Sequence, residues 1–149
     1  SFLLLRSLRT LTLRVKRQSK NAFLVAQFLQ RHPMIDSISN GAMDQPKLWK
    51  TFVAESSVLE TKPAKLACPC FTFRCKDAEE AVALPAHLRL ISNCTSLGGV
   101  STSIDHRHRW DPKRDPRDYR ISIGVEDEKD IIEDLEQAFA KIAEQKKKN

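Results

Sequence analysis

Leu4, Leu8, Leu11, Val15, Ala22, Ala26 and Leu29 recur at helical spacing along residues 1–31, and the pattern stops at Pro33. A helix with one apolar stripe draws most of its stability from the surface it covers, so the remaining chain must supply a layer to receive it. The spacing predicts a long, core-packed helix over 1–31, with Pro33 barring its continuation. Residues 1–35 hold no Asp or Glu and several Arg, which imitates an organelle-targeting peptide. The stripe running unbroken to Pro33 favours the packed helix instead. Because the apolar pattern is already running at Ser1, with no capping approach before it, the chain is expected to be a piece of a longer protein.

At 149 residues with 41% hydrophobic content, the chain can bury one core of ordinary domain size. Its net charge of +6 permits an anionic partner. Charged residues of both signs make up 30% of the chain, which is also what an ordinary surface carries, so charge decides nothing by itself. No apolar run is long enough to cross a bilayer, and no membrane partner is expected.

Four cysteines, Cys68, Cys70, Cys75 and Cys94, invite a metal or disulfide reading. Cys68-x-Cys70 and His106-x-His108 are both too closely spaced for the usual zinc pattern, so no metal site is expected. In LACPCFTFRC the thiols fit a strand in which Cys68, Cys70, Thr72 and Arg74 alternate with Pro69, Phe71, Phe73 and Cys75. The cysteines form no disulfide framework, and a reducing, cytoplasmic setting is the expectation.

Further along, MIDSI reads as extended, Asn40-Gly41 as a turn, and residues 45–65 as a short helix or irregular connection. A strand is predicted over 66–75. Asp77 then caps a short helix that Pro85 is expected to end. Residues 88–92 read as a strand, VSTSI as extended, and RHRWDPKRDPRD as a solvated, proline-punctuated loop. YRISIGV is a clear strand with Tyr119, Ile121, Ile123 and Val125 on one side, which leaves Arg120 on the less apolar face. A closing helix follows, capped by Asp127, with Ile131, Leu135, Ala138 and Ile142 on one face and a frayed QKKKN tail. The whole reads as an α+β fold, a sheet backed by helices with a long helix at each end.

Two places invite chemistry. In NCTSLGGVSTSIDHRH, Thr95 and Ser96 stand just before Leu97-Gly98-Gly99. Such a glycine pair serves either a tight turn or a close approach to a ligand. Arg120 is either a surface strand arginine or an anion grip, since its planar fork can hold a carboxylate through two hydrogen bonds.

Three stretches, FLLLRSLRTLTLRVKRQSKNAFLVAQFLQRHP, LRLISNCTSLGGVSTSIDHR and RISIGVEDEKDIIEDLEQAF, in that order and spacing, resemble the C-terminal domain of the Cys/Met metabolism enzymes that depend on pyridoxal phosphate (PLP). These include cystathionine γ-synthase, cystathionine β- and γ-lyases and methionine γ-lyase. The resemblance implies the small C-terminal domain of a fold-type I, aspartate aminotransferase-like enzyme. Residues 1–31 would be the helix leading from a cofactor-binding domain, and residues 32–149 the α/β subdomain. It implies PLP as cofactor, an amino-acid substrate, and a homo-oligomer in the complete protein. The cofactor lysine of such enzymes lies in a Ser-x-Thr-Lys-like stretch that nothing here matches, so an isolated chain is expected to be inactive.

The resemblance also implies roles. Ser96 would sit beside the cofactor lysine as a catalytic residue, and Arg120 would bind the substrate α-carboxylate. Thr95 would contribute to substrate binding, but it stands where several γ-synthases and γ-lyases have Glu. Ser101 likewise replaces a frequent Glu, so substrate identity does not carry over. The implied activity is β- or γ-elimination or replacement on sulfur-containing or O-acylated amino acids. The alternative is an inactive, truncated homologue acting as a binding or assembly module. Nucleic-acid binding, suggested by the basic His106–Arg109 cluster with Trp110, lacks any recognisable fold motif and is not expected.

Overall fold

Alternating side chains in CFTFRC and DYRIS build β2 (Cys70–Cys75) and β5 (Asp118–Ser122), which pair antiparallel with Thr72 opposite Arg120 at the centre of the sheet. The computed structural model describes residues 2–54 and 66–147. Among the described residues five strands lie in the order β1-β2-β5-β4-β3, with β1 at Ile35–Ser39, β3 at Ser92–Asn93 and β4 at Ser103–His106. Only β3 and β4 run parallel, so the sheet is mixed.

One face of this sheet is closed by α2 (Leu11–Arg31), α5 (Ala78–His87) and α6 (Glu128–Lys146). Val25 and Leu29 from α2, Leu84 from α5, and Ile131, Leu135 and Phe139 from α6 meet Phe71, Phe73, Tyr119, Ile121 and Ile123 in one apolar cluster. Each large apolar side chain buried there contributes about 1.5–3 kcal/mol. The α+β class and the sheet backed by helices follow from this arrangement.

The first helix is not continuous. α1 (Phe2–Leu8) and α2 are separated at Arg9 and Thr10. Thr10 donates its hydroxyl to the Ser7 carbonyl at 3.3 Å, and Arg14 donates to the same carbonyl at 3.0 Å. Side chains thus satisfy an acceptor that a continuing helix would have used, as Ser and Thr often do when they compete with the ladder. The fully buried stripe begins at Gln18, with half-buried Val15 packed against Leu66 before it, and Leu4, Leu8 and Leu11 are exposed.

Other boundaries also shift for identifiable reasons. Asn40 caps a short helix, α3 (Gly41–Asp44), rather than making a bare turn, by accepting from the Ala42 amide at 3.0 Å. α4 spans Pro46–Ala54, and the expectation for 55–65 lies outside the described residues. The strand expected from residue 66 begins only at Cys70, because the Ala67 amide bonds the Ser19 carbonyl of α2. Pro85 does not end α5. It lacks the amide that would bond the Ala81 carbonyl, and the Tyr119 hydroxyl donates to that carbonyl instead at 2.6 Å. The predicted strand at 88–92 shrinks to β3 because the amides of Arg89, Leu90 and Ile91 all donate to the buried Asp134 carboxylate at 2.9 Å.

Asp127 caps α6 by accepting from the Lys129 amide, and that bond with nearby Arg17 holds its carboxyl below the usual range. The expected fraying does not reach Lys146, whose ammonium meets Asp77 and Glu80 at 3.0 Å each and clips the end of α6 to the start of α5. Among the described residues no helix is long and apolar enough to cross a membrane.

Candidate functional site

Residues 94–101 cross the end of the sheet between β3 and β4 and are fixed almost wholly through their backbone. The Ser96 carbonyl accepts from Ser103 Oγ at 3.1 Å, the Gly98 amide donates to Ser122 Oγ at 2.9 Å, and the Gly99 carbonyl accepts from Gln18 Nε2 at 2.7 Å. Gly98 has φ +72°, a left-handed conformation that explains a glycine there. No protein atom crowds Gly98, so its need is conformational. The close approach falls at Gly124 instead, where any Cβ would overlap the Val100 carbonyl and the Glu126 carboxylate. Glu126 holds both the amide and the hydroxyl of Thr102, at 2.6 and 2.9 Å, so it locks the β4 entry to the strand that follows β5. Ser122 and Glu126 therefore act structurally, by holding the loop and the entry to β4.

This anchoring leaves the Thr95 and Ser96 side chains exposed, and neither hydroxyl has a hydrogen-bond partner among the described residues. Arg120 comes to them from β5. Its Nη2 donates to the Thr95 carbonyl at 2.6 Å, and the side chain is only 20% exposed. All three predicted site residues therefore meet at one place, Arg120 touching the residue directly before Ser96.

Arg120 also stands 3.4 Å from the Asp105 carboxylate, which lies opposite it across β4 and β5 and is buried. Asp105 accepts from Arg107 Nη1 at 2.5 Å and from Trp110 Nε1 at 2.9 Å. The loop after β4 is thus tied down through Arg107 and Trp110, although Trp110 itself stays largely exposed. His106 is buried too, stacked on Tyr119 and bonded to the Pro116 carbonyl. Sequence reasoning treated this loop as solvated and missed Asp105. The only available signal was long-range: a strand acid that falls opposite a strand arginine once the register is known.

Arg107 and Arg120 also border an open hollow of about 490 Å³ on the face of the sheet away from the helices, whose lining does not include Thr95, Ser96 or Asp105. Arg74, Arg107, Arg114 and Arg120 line it with Asp118, Thr72, Ser37 and Ser39. Arg74 is committed to Asp118, with bonds of 2.6 and 3.1 Å. The other three are paired as well, Arg107 and Arg120 with the shared Asp105 and Arg114 with Asp111, so the hollow is lined by paired charges in which two guanidiniums share one carboxylate. Nearby, burial raises the Cys70 thiol above its ordinary value, and the Arg120 charge works against that shift. Among the described residues no group of three or more His, Cys, Asp or Glu side chains is placed to hold a metal ion.

An α+β chain of this form is shared with solved PLP-dependent enzymes. One is a Campylobacter jejuni protein assigned as an O-acetylhomoserine (thiol)-lyase and carrying a pyridoxyl-lysine, which superposes with a TM-score of 0.73 at 28% identity over 92% of this chain and 31% of that one. The chain belongs to the Cys/Met metabolism PLP-dependent enzyme family, whose pattern matches residues 1–140. Relatives include L-methionine γ-lyase of Treponema denticola, 31% identical over 95% of this chain and 36% of its own, and cystathionine γ-lyase of Macaca fascicularis, 32% identical over 90% and 34%. The chain therefore spans about a third of the length of these relatives.

The family depends on PLP. In this chain the hollow offers arginines and hydroxyls but no lysine, so its lining has no amine to carry the cofactor's aldehyde.

Proposed function

We propose that this chain is the C-terminal part of a longer fold-type I PLP enzyme that carries out β- or γ-elimination or replacement on sulfur-containing or O-acylated amino acids. Residues 1–31 lead from a cofactor-binding domain, and residues 32–149 form the small α/β subdomain. The complete protein is a cytoplasmic homo-oligomer. The family membership and the share of each relative that is matched support this reading. So do the exposed apolar side chains of α1, Phe2, Leu3, Leu4 and Leu5, which a preceding domain would cover.

The observation that carries the proposal is the 2.6 Å bond from Arg120 to the Thr95 carbonyl, because it brings the anion grip and the hydroxyl-bearing loop to one site. Arg120 holds the substrate α-carboxylate. Its Nη1 and Nε have no partner among the described residues, which leaves donors for a ligand. The unbonded Ser96 hydroxyl positions a lysine amine supplied by the preceding domain, and the exposed Thr95 side chain meets the substrate. When bound, PLP supplies an electron sink for charge developing at the substrate Cα.

A second reading is an inactive homologue that binds or assembles with other subunits; a hollow without lysine is compatible with both. One experiment separates the two. In the PLP-loaded complete polypeptide, Arg120→Ala should lower kcat/KM by about two to four orders of magnitude, roughly 3–5 kcal/mol, while cofactor absorbance persists. Arg120→Lys should recover part of the loss, since one ammonium restores charge but not the paired hydrogen bonds. An unchanged kcat/KM in Arg120→Ala would remove the carboxylate role. No turnover by the complete polypeptide, with no borohydride-reducible label on a lysine outside residues 1–149, would select the second reading.

A further inference from the structure

Arg120 is a long side chain with several rotatable bonds, and a useful carboxylate grip requires its fork to be fixed before the ligand arrives. The Thr95 carbonyl supplies one tether, to Nη2. The second comes from Asp105, which antiparallel pairing puts directly opposite Arg120 on the same face of the sheet. Asp105 is 2% exposed, and a buried carboxylate persists only where charge and hydrogen bonds compensate its lost hydration. It finds two guanidiniums and an indole N–H: Arg120 and Arg107 share Oδ2, and Trp110 donates to Oδ1.

This geometry has a direction. Both tethers act on Nη2, which leaves Nη1 and Nε without a partner among the described residues. One carboxylate between two guanidiniums leaves a net positive charge, so Asp105 orients Arg120 without cancelling its attraction for an anion. Trp110 and Arg107 in turn hold the carboxylate, which couples the loop after β4 to the grip.

We infer that Asp105 is the positioning residue for Arg120, and that Arg107 and Trp110 act on carboxylate binding through it. The inference rests on the proposed role of Arg120. If it holds, loss of the Asp105 charge weakens ligands that carry an α-carboxylate and spares those that lack one, a selectivity that general loosening of the fold would not produce.

The test is calorimetric binding to the PLP-loaded complete polypeptide, comparing norleucine with pentylamine, the same side chain without the carboxylate. Asp105→Asn should weaken norleucine by about tenfold to a hundredfold and leave pentylamine within about twofold. In an Arg120→Ala background the same substitution should have little further effect on norleucine. Trp110→Phe, which removes one hydrogen bond and keeps the charge, should weaken norleucine by about twofold to fivefold, and it serves as the measurement if Asp105→Asn does not fold. Equal weakening of both ligands, unchanged norleucine affinity or tighter norleucine binding would overturn the inference. A lack of effect from Arg120→Ala alone would instead overturn the carboxylate grip itself, and the two failures are thereby told apart.

Discussion

Alternate residues of the same two strands face opposite worlds. On β2 and β5, Phe71, Phe73, Cys75, Tyr119 and Ile121 turn toward three helices and disappear from solvent, while Thr72, Arg74, Asp118 and Arg120 turn the other way and line an open, charged hollow. The difference teaches where each kind of energy resides. Helix-side residues hold the sheet together through apolar area, and the outward arginines are ordered by specific acids and carbonyls: Arg74 by Asp118, Arg120 by Thr95 and Asp105. A substitution on one face should therefore read out as stability, and on the other as binding.

The sharpest way to break that division is at neighbouring positions of β2. Phe73→Ala should destabilise the fold by about 3–5 kcal/mol in chemical denaturation, because it empties a fully packed position stacked on Tyr119. Thr72→Ala, one residue along on the outer face, should stay within about 0.5 kcal/mol. Comparable losses at both would mean that the outer face also carries the fold.

A smaller effect is expected at Tyr119. Tyr119→Phe keeps the ring and removes the hydroxyl, which leaves the Ala81 carbonyl without the donor that Pro85 cannot supply. The cost should be about 2 kcal/mol by equilibrium unfolding. No change would show that water or a shift of α5 satisfies that carbonyl.

The mildest effect concerns pH. Burial pushes the Cys75 thiol from its ordinary 9 up to about 12, and Glu80 and Asp77 add to the shift. The unfolded chain then loses this proton before the folded one does. Stability from Cys75 is fully present below pH 9 and falls as pH rises toward about 12, by about 1 kcal/mol near pH 10. Unfolding midpoints followed against pH should show this alkaline loss in the natural chain and a reduced loss in Cys75→Ala. Parallel curves would place Cys75 outside the titration.

Local pattern made part of this architecture legible. The Asp127 cap, the buried stripe of α6 and the inward set Tyr119, Ile121 and Ile123 all depend on neighbours within a turn or a strand, which periodicity reports directly. The break after Leu8 was invisible because Leu8 and Leu11 keep helical spacing across it, while the competing bonds come from Thr10 and Arg14. Pro85 was misread for a related reason. A proline inside a helix is tolerable when another group serves the orphaned carbonyl, and that group, Tyr119, lies 38 positions from Ala81. At the site, Ser96, Thr95 and Arg120 could be chosen from the family-like stretches, but Asp105 required the β4–β5 register and Asp134 required knowing which loop faced α6.

The strand order also governs how the chain can be made. β5 occupies the middle of the sheet, yet it follows all four other strands in sequence. Until residues 118–122 leave the ribosome, β1 with β2 and β3 with β4 are two strand pairs with no strand between them, and α6 comes later still. The nascent chain must therefore carry apolar strand faces and unpaired edges from the making of β1 until that of β5, and β5 with α6 converts them together into a closed structure. A stop codon before residue 118 would leave two unjoined halves prone to aggregation, and would not yield a smaller working domain.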